Sequence, residues 1–225
     1  MKLSYLVTVH NETDTLIRLL ERLVNHRLEG DEIVIIDDYS DNPKTSKIIT
    51  DCCKNRDVFT YLHKLDNNYG EHKNYGNTRC TGDWVFQIDA DENPSETLIF
   101  NIRDIIETNV NVELIYVPRI NDFRGVTPEH AKQWGWKLTP SPFCQNRLVV
   151  NFPDFQSRIY KRVPDRIKWD RRLHEKIVGH DQYAFLPAEE DLALYHDKTI
   201  ETQVKTNLRY NQLFSVQDNL GHKVT

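Results

Sequence analysis

Apolar positions in the first part of the chain alternate between two periods. LSYLVTV at 3–9 is a continuous apolar, β-branched run. NETDTLIRLLERLVNH after it places Leu16, Leu19, Leu20, Leu23 and Val24 at helical spacing behind an acidic first turn. The alternation repeats: DEIVIIDD (31–38) reads as a buried strand closed by two aspartates, YSDNPKTSKIITDCC as the lead into a helix, and VFTYLH (58–63) as a third strand. NYGEHKNYGNTRCTGD reads as a glycine-punctuated helix and turn, WVFQID as a fourth strand, SETLIFNIRDIIE as a helix and VELIYVPRI as a strand. Continuous apolar strands separated by helices predict an α/β, Rossmann-like fold with a mostly parallel sheet covered on both faces.

Further along, the periodicity is lost. Residues 121–156 carry Pro, Gly and aromatic residues without a clear period, which predicts a long, ordered, irregular binding loop. SRIYKR, RIKWD and LHEKIVG predict short strands and turns in a smaller β subregion, and 199–217 predicts a closing helix. No internal repeat or low-complexity segment is present. The expected organisation is a single domain over 1–225, with halves at 1–118 and 119–225.

A formal net charge of -5 argues against a dominant electrostatic grip on nucleic acid, although the basic stretch 161–172 leaves room for a local one. No apolar run approaches the ~20 residues of a membrane span, and MKLSYLVTVHNE lacks a signal-peptide core. Cys52, Cys53, Cys80 and Cys144 show no C-x-x-C spacing, so reduced thiols in a cytoplasmic protein without a transmembrane anchor are expected.

The candidate chemistry lies at the strand ends. His10 to Glu12, Asp37 to Ser40 and Asp89 to Glu92 each follow a strand, where open α/β sheets bind ligands. Asp89, Asp91 and Glu92 would repel one another unless a cation or charged ligand were near. A calcium loop beginning at Asp89 would need Gly and Glu where Pro94 and Phe100 stand. An aspartyl phosphotransferase motif would need Thr or Val at Asn93, and neither a Gly-x-Gly-x-x-Gly fingerprint nor a P-loop is present. Acids at a helix N-terminus account for Glu92 and Glu96 but not for Asp89. What remains is a metal–diphosphate site beside a nucleoside pocket.

In order and spacing, VTVHNE, EIVIIDDYSD and KNYGNTRCTGDWVFQIDADE resemble the nucleotide-sugar domain of family 2 glycosyltransferases, which have the GT-A fold. Downstream, FPDFQSRIYKR, WDRRLHEKIVG and LYHDK are similar to a small sugar-transferring branch with a His-Glu pair and a later metal-binding His. The resemblance implies an inverting transfer from a nucleoside-diphosphate sugar, UDP-sugar first, with Mn2+ or Mg2+. His10, Glu12, Asp37 and Asp38 would then hold the base and ribose, and Lys73, in place of the usual Arg, a phosphate as a point charge. Asp89 would contact the ribose or metal, while Asp91 and His196 would ligate the metal; outside the resemblance, His196 reads equally as a core histidine beside Tyr195.

An inverting transfer needs a base away from the metal. That points to Glu175, oriented by His174, with Asp191 in reserve and a surface ion pair of Glu175 with Arg171 or Arg172 as the plainer reading. Trp134 and Trp136 would form an acceptor wall or simply pack the loop. A saccharide acceptor comes first. A DNA glycosyltransferase acting on a hydroxymethylated base and an inactive sugar-nucleotide or glycan-binding module are the alternatives.

Overall fold

The computed structural model describes residues 1–141 and 147–215. The first half forms in the predicted order. β1 (Leu3–Val9) lies between β2 (Glu32–Asp37) and β4 (Trp84–Asp89), parallel to both, and β3 (Val58–Leu62) extends the sheet beyond β2. Alternate residues of β1 feed two cores. Leu3, Tyr5 and Val7 pack with Leu16, Leu19 and Leu23 of α1 (Asp14–His26) and with Leu98 and Ile102 of α4 (Glu96–Thr108). Leu6 faces the other way, with Val34, Ile36 and Val85. Burial on both faces is why these strands read as unbroken apolar runs.

The helices begin where short polar side chains satisfy free N–H groups. Asn42 caps α2 (Pro43–Cys52), Asn68 caps α3 (Tyr69–Arg79) and Ser95 caps α4, each accepting from a first-turn amide. Glu96 lies in the first turn of α4 as expected, but Glu92 does not. It belongs to β5 (Glu92–Pro94).

The second half differs from its sequence reading. The segment 121–156 is not a long irregular loop: β6 (Leu114–Arg124) continues into it, and α5 (Pro128–Trp134), β7 (Leu138–Pro140) and β8 (Leu148–Lys161) follow. SRIYKR is the end of β8. β8 runs antiparallel to β4 and β6, and so joins the halves into one sheet. β12 (Leu194–Thr199) is parallel to β6 and antiparallel to β5, giving the order β3-β2-β1-β4-β8-β6-β12-β5. The proposed division at 118 and 119 therefore falls inside β6. β11 (Tyr183–Phe185) flanks β6, while β9 (Lys168–Asp170) and β10 (Lys176–Val178) make a separate hairpin. The closing helix α6 spans Ile200–Leu213. Among the described residues Cys52, Cys53 and Cys80 are free thiols, and no helix is long and apolar enough to cross a membrane; Cys144 lies outside the described residues.

Candidate active site

Parallel register brings the ends of β1, β2 and β4 level, with Val9 opposite Asp37 and Thr8 opposite Asp89. The loops beyond them are held by polar side chains. Asp37 Oδ1 accepts from the Ser40 amide (2.9 Å) and hydroxyl (2.6 Å), so Asp37 locks this turn. Asn11 and Tyr39 adopt φ of 68° and 47°, a region costly for side-chain-bearing residues. Asn11 is fastened there by Ser40, Asp41 and the Asn42 amide. Asp38 accepts from the Leu65 amide at 2.8 Å, and its other oxygen lies 3.3 Å from His10 Nδ1. Glu12 accepts from the His10 amide at 2.6 Å. His10, Glu12, Asp37 and Asp38 thus share one rim, each already contacting its neighbours.

From this rim a string of buried and half-buried opposite charges crosses the sheet. Glu175 Oε1 lies 2.5 Å from Lys73 Nζ, which is 3.2 Å from Asp89. Asp89 pairs with Arg158 (2.7 Å), Arg158 with Glu92 (2.6 Å), Glu92 with Arg119 (2.9 Å) and Arg119 with Asp154 (2.6 Å). Asp154 accepts from Asn121 Nδ2 (2.9 Å), Asn121 Oδ1 is 2.7 Å from His196 Nδ1, and His196 Nε2 faces Asp91 Oδ2 at 3.4 Å. Lys198 completes the end, 2.8 Å from the same Asp91 oxygen. Burial opposes ionisation of Asp89, but Arg158 and Lys73 outweigh it and hold the carboxyl far below the usual range. Burial likewise opposes the Asp91 charge, and the Lys198 ammonium foremost outweighs it.

The sequence reading did not identify Arg119, Asn121, Asp154, Arg158 or Lys198. It grouped Asp89 with Asp91, but the two face different partners. Both Asp89 oxygens are engaged by Arg158, Lys73, Gln87 and Thr8, whereas Asp91 alone faces His196.

Glu175 reaches the string through a docked loop. Asn74 makes a two-way clamp on the Trp169 backbone, donating to its carbonyl (2.9 Å) and accepting from its amide (2.8 Å). The Tyr69 amide donates to the Arg172 carbonyl at 2.9 Å. At Arg171 and His174, φ is 77° and 52°, so the chain turns sharply around Glu175 while His174 stays exposed. α3 can approach this loop because position 70 is glycine: a Cβ there would lie 2.4 Å from the Arg171 carbonyl oxygen. Gly70→Ala should therefore displace the Glu175 loop. We expect a destabilisation of about 1–3 kcal/mol in urea unfolding and weakened Lys73–Glu175 pairing, seen as altered amide shifts at 171–175.

α6 covers the same region. Tyr210 meets Tyr69 edge-on at 6.2 Å, Phe214 packs on both rings, and burial first, then Tyr69, Glu175 and Asp91, push the Tyr210 phenol well up. Trp134 and Trp136 pack on each other at 4.5 Å. Trp136 also meets Phe123, the ring that stands edge-on to His196. Asp191 is set apart from the string, exposed in a 3₁₀ turn whose backbone carbonyl accepts from Ser95 at the start of α4.

Glu12 stands beside Asp91, and no Lys or Arg among the described residues pairs with it. Burial, aided by Asp91, pushes its carboxyl from 4.5 up to about 7. A raised folded-state value means the native chain holds this proton more tightly than the unfolded one. The resulting stability is complete below pH 4.5 and is lost as pH rises to about 7. Glu12→Gln should remove this decline, so denaturation midpoints of wild type and variant should separate between those limits by up to ~3 kcal/mol. Parallel curves would show that Glu12 titrates normally.

The Glycosyl transferase family 2 profile matches residues 4–167. A curated relative, undecaprenyl-phosphate 4-deoxy-4-formamido-L-arabinose transferase of Proteus mirabilis, is 32% identical over 103 residues, which are 43% of this chain and 31% of the relative. Solved S. aureus TarS is similar in fold, with a TM-score of 0.62 at 15% identity over 95% of this chain and 39% of that one. TarS 1-349 in complex with UDP-GlcNAc gives 0.60 at 18% identity over 88% of this chain and 59% of that one. The chain thus spans only part of the length of these proteins. With the family profile covering both the strand-end acids and the Arg158 strand that joins them, the chain belongs to Glycosyl transferase family 2.

Proposed function

We propose that the chain transfers a sugar from a nucleoside-diphosphate sugar, UDP-sugar first, to a saccharide hydroxyl with inversion, using Mn2+ or Mg2+ at Asp91 and His196. The carrying observation is that the string has unlike ends: Glu175 at one, and the Asp91–His196 donor pair at the other. A TarS complex with UDP-GlcNAc supports the donor class.

Asp91 and His196 fit a divalent cation. Among the described residues no three His, Cys, Asp or Glu side chains converge on one point. Ions of the magnesium class, however, are commonly held by one or two carboxylates together with substrate phosphates and waters. The 3.4 Å between Asp91 Oδ2 and His196 Nε2 is a separation that two neighbouring donors, each about 2.1 Å from one ion, can span. Charge balance agrees: Lys73, Arg119, Arg158 and Lys198 face the five carboxylates Asp89, Asp91, Glu92, Asp154 and Glu175, leaving one negative charge over.

When bound, the cation offsets charge on the departing diphosphate. Glu175 takes the proton of the acceptor hydroxyl as its oxygen attacks the anomeric carbon and the bond to the diphosphate breaks. Lys73 Nζ, 2.5 Å from Glu175 Oε1, fixes the direction of that carboxylate, and Tyr69 and Tyr210 pack together nearby. The free thiols support a reducing, cytoplasmic setting.

For DNA as acceptor, the supporting features are the Trp134/Trp136 loop and the basic stretch 161–172. There Arg166 is engaged by Glu113 and Asp181, and Arg162 by the Gly82 carbonyl, so the saccharide reading stands first. The deciding experiment is donor hydrolysis over a panel of nucleotide sugars with Mn2+ or with chelator, then transfer to oligosaccharides and to hydroxymethylated duplex DNA. Mn2+-dependent hydrolysis of a UDP-sugar is the expected result. Binding without turnover under every condition would instead identify a sugar-nucleotide-binding module.

A further inference from the structure

Asn121 is the member of the string at which charge gives way to a neutral amide, and its hydrogen bonds settle a choice that His196 cannot make alone. We propose that Asn121 is a positioning residue that holds His196 in the tautomer protonated on Nδ1, so that the Nε2 lone pair faces Asp91 and is free to bind a divalent cation. This inference rests on the metal-dependent reading above.

The argument is one of donors and acceptors. An asparagine amide offers two N–H donors on nitrogen and only acceptor sites on oxygen. Asn121 Nδ2 lies 2.9 Å from Asp154 Oδ2 and 3.2 Å from the Val150 carbonyl, both acceptors. Rotating the amide by half a turn would set its oxygen against two oxygens, so the orientation is determined. Oδ1 then points at His196 Nδ1 across 2.7 Å and can only accept, which requires a hydrogen on Nδ1. A neutral imidazole carries a single N–H, so Nε2 is left bare.

The surroundings hold this choice in place. Asn121 and His196 are 4% and 6% exposed, so water does not compete for either ring nitrogen. Phe123 stands edge-on to the imidazole with ring centroids 5.7 Å apart, limiting its rotation. Asp154, which fixes the amide, is itself fixed by two guanidinium contacts from Arg119, at 3.0 and 2.6 Å. Lys198 already supplies a counter-charge to Asp91 Oδ2, so a second proton on His196 is not needed to balance that carboxylate. A bare Nε2 and a carboxylate oxygen 3.4 Å apart repel each other until a cation lies against both. Outer partners of this kind commonly change metal affinity by ~10–100-fold.

The direct test needs no variant of Asn121. Long-range proton–nitrogen NMR of the uniformly labelled full chain reads the imidazole tautomers, with the His196 signals assigned by their absence from His196→Gln. The Nδ1-protonated pattern is expected, and the Nε2-protonated pattern overturns the proposal outright. In a second arm, Mn2+ binding in the presence of UDP is followed by the loss of free-ion EPR signal. Asn121→Leu, which keeps the volume but not the acceptor, should bind Mn2+ ~10–100-fold more weakly, while UDP binding without metal changes little and the chain still folds, with a melting temperature lowered by the hydrogen bonds lost at His196 and Asp154. Full Mn2+ affinity in Asn121→Leu, with the wild type binding normally, overturns this inference alone. A wild-type chain that takes up no Mn2+ with UDP overturns the metal reading and this inference with it.

Discussion

Glu175→Gln is expected to lower kcat by ~10²–10⁴-fold with donor affinity nearly unchanged, the usual range for loss of a general base. The substitution keeps the shape of the side chain and removes its ability to take a proton. Glu175 is the carboxylate at the end of the string remote from His196, and its side chain is 15% exposed, enough to meet a substrate hydroxyl. Its contact with Lys73 complicates the variant, because a neutral amide leaves Lys73, 2% exposed, with Asp89 as its remaining anionic neighbour. Thermal melting and donor titration must therefore accompany the rates. Asp191→Asn is the matched control, since Asp191 lies apart from the string and should retain near-normal turnover. Preserved turnover in Glu175→Gln together with an inactive Asp191→Asn would transfer the role to Asp191.

The second large effect belongs to Asp91. Asp91→Asn should abolish metal-dependent nucleotide binding, weakening it by more than the ~10–100-fold typical of residues one step removed from an ion. Asp91 is the only carboxylate of the string that faces His196, and Lys198 touches the same oxygen. An amide at this position cannot balance Lys198, so the fold should be perturbed locally while the core strands are not. Calorimetry of UDP binding with and without Mn2+ separates the cases. Equal wild-type affinity in both conditions would assign the neutralising role to Lys198 rather than to an ion.

Much of the first half was legible because β1, β2 and β4 are buried on both faces, which writes an unbroken apolar run into the sequence. The motif ends were legible for the complementary reason: their acids and amides sit just where those runs stop. The continuation of β6 past Ile120 and the first part of β8 were not, and the cause is physical. Asn121 and Asp154 point into the string and occupy positions where a strand would normally show apolar residues. Pro153 also lies within β8, a residue that argues against a central strand. A buried polar network therefore has the same sequence signature as a loop. Arg158 could not be found by spacing, because its partners Asp89 and Glu92 lie on other strands far away in the chain. Asn74 was visible within the KNYG motif and Gly70 as punctuation of a helix, but their work is to hold a backbone rather than to touch a ligand. Nothing in their residue types announces that.

The alternation of charge along the string has a consequence for how this protein can change over generations. Replacing an interior member alone takes one counter-charge from each neighbour, and loss of Lys73 or Arg119 leaves Glu175 or Asp154 with none in the string, a defect of up to about 3–5 kcal/mol against a total stability of ~5–15 kcal/mol. Substitutions that are harmful singly should be tolerated in matched pairs, and their effects should depart from additivity by more than those of equally buried apolar residues. Random drift would then cross this region only in double steps. Arg158, with carboxylate partners on both sides, would be the last position to move.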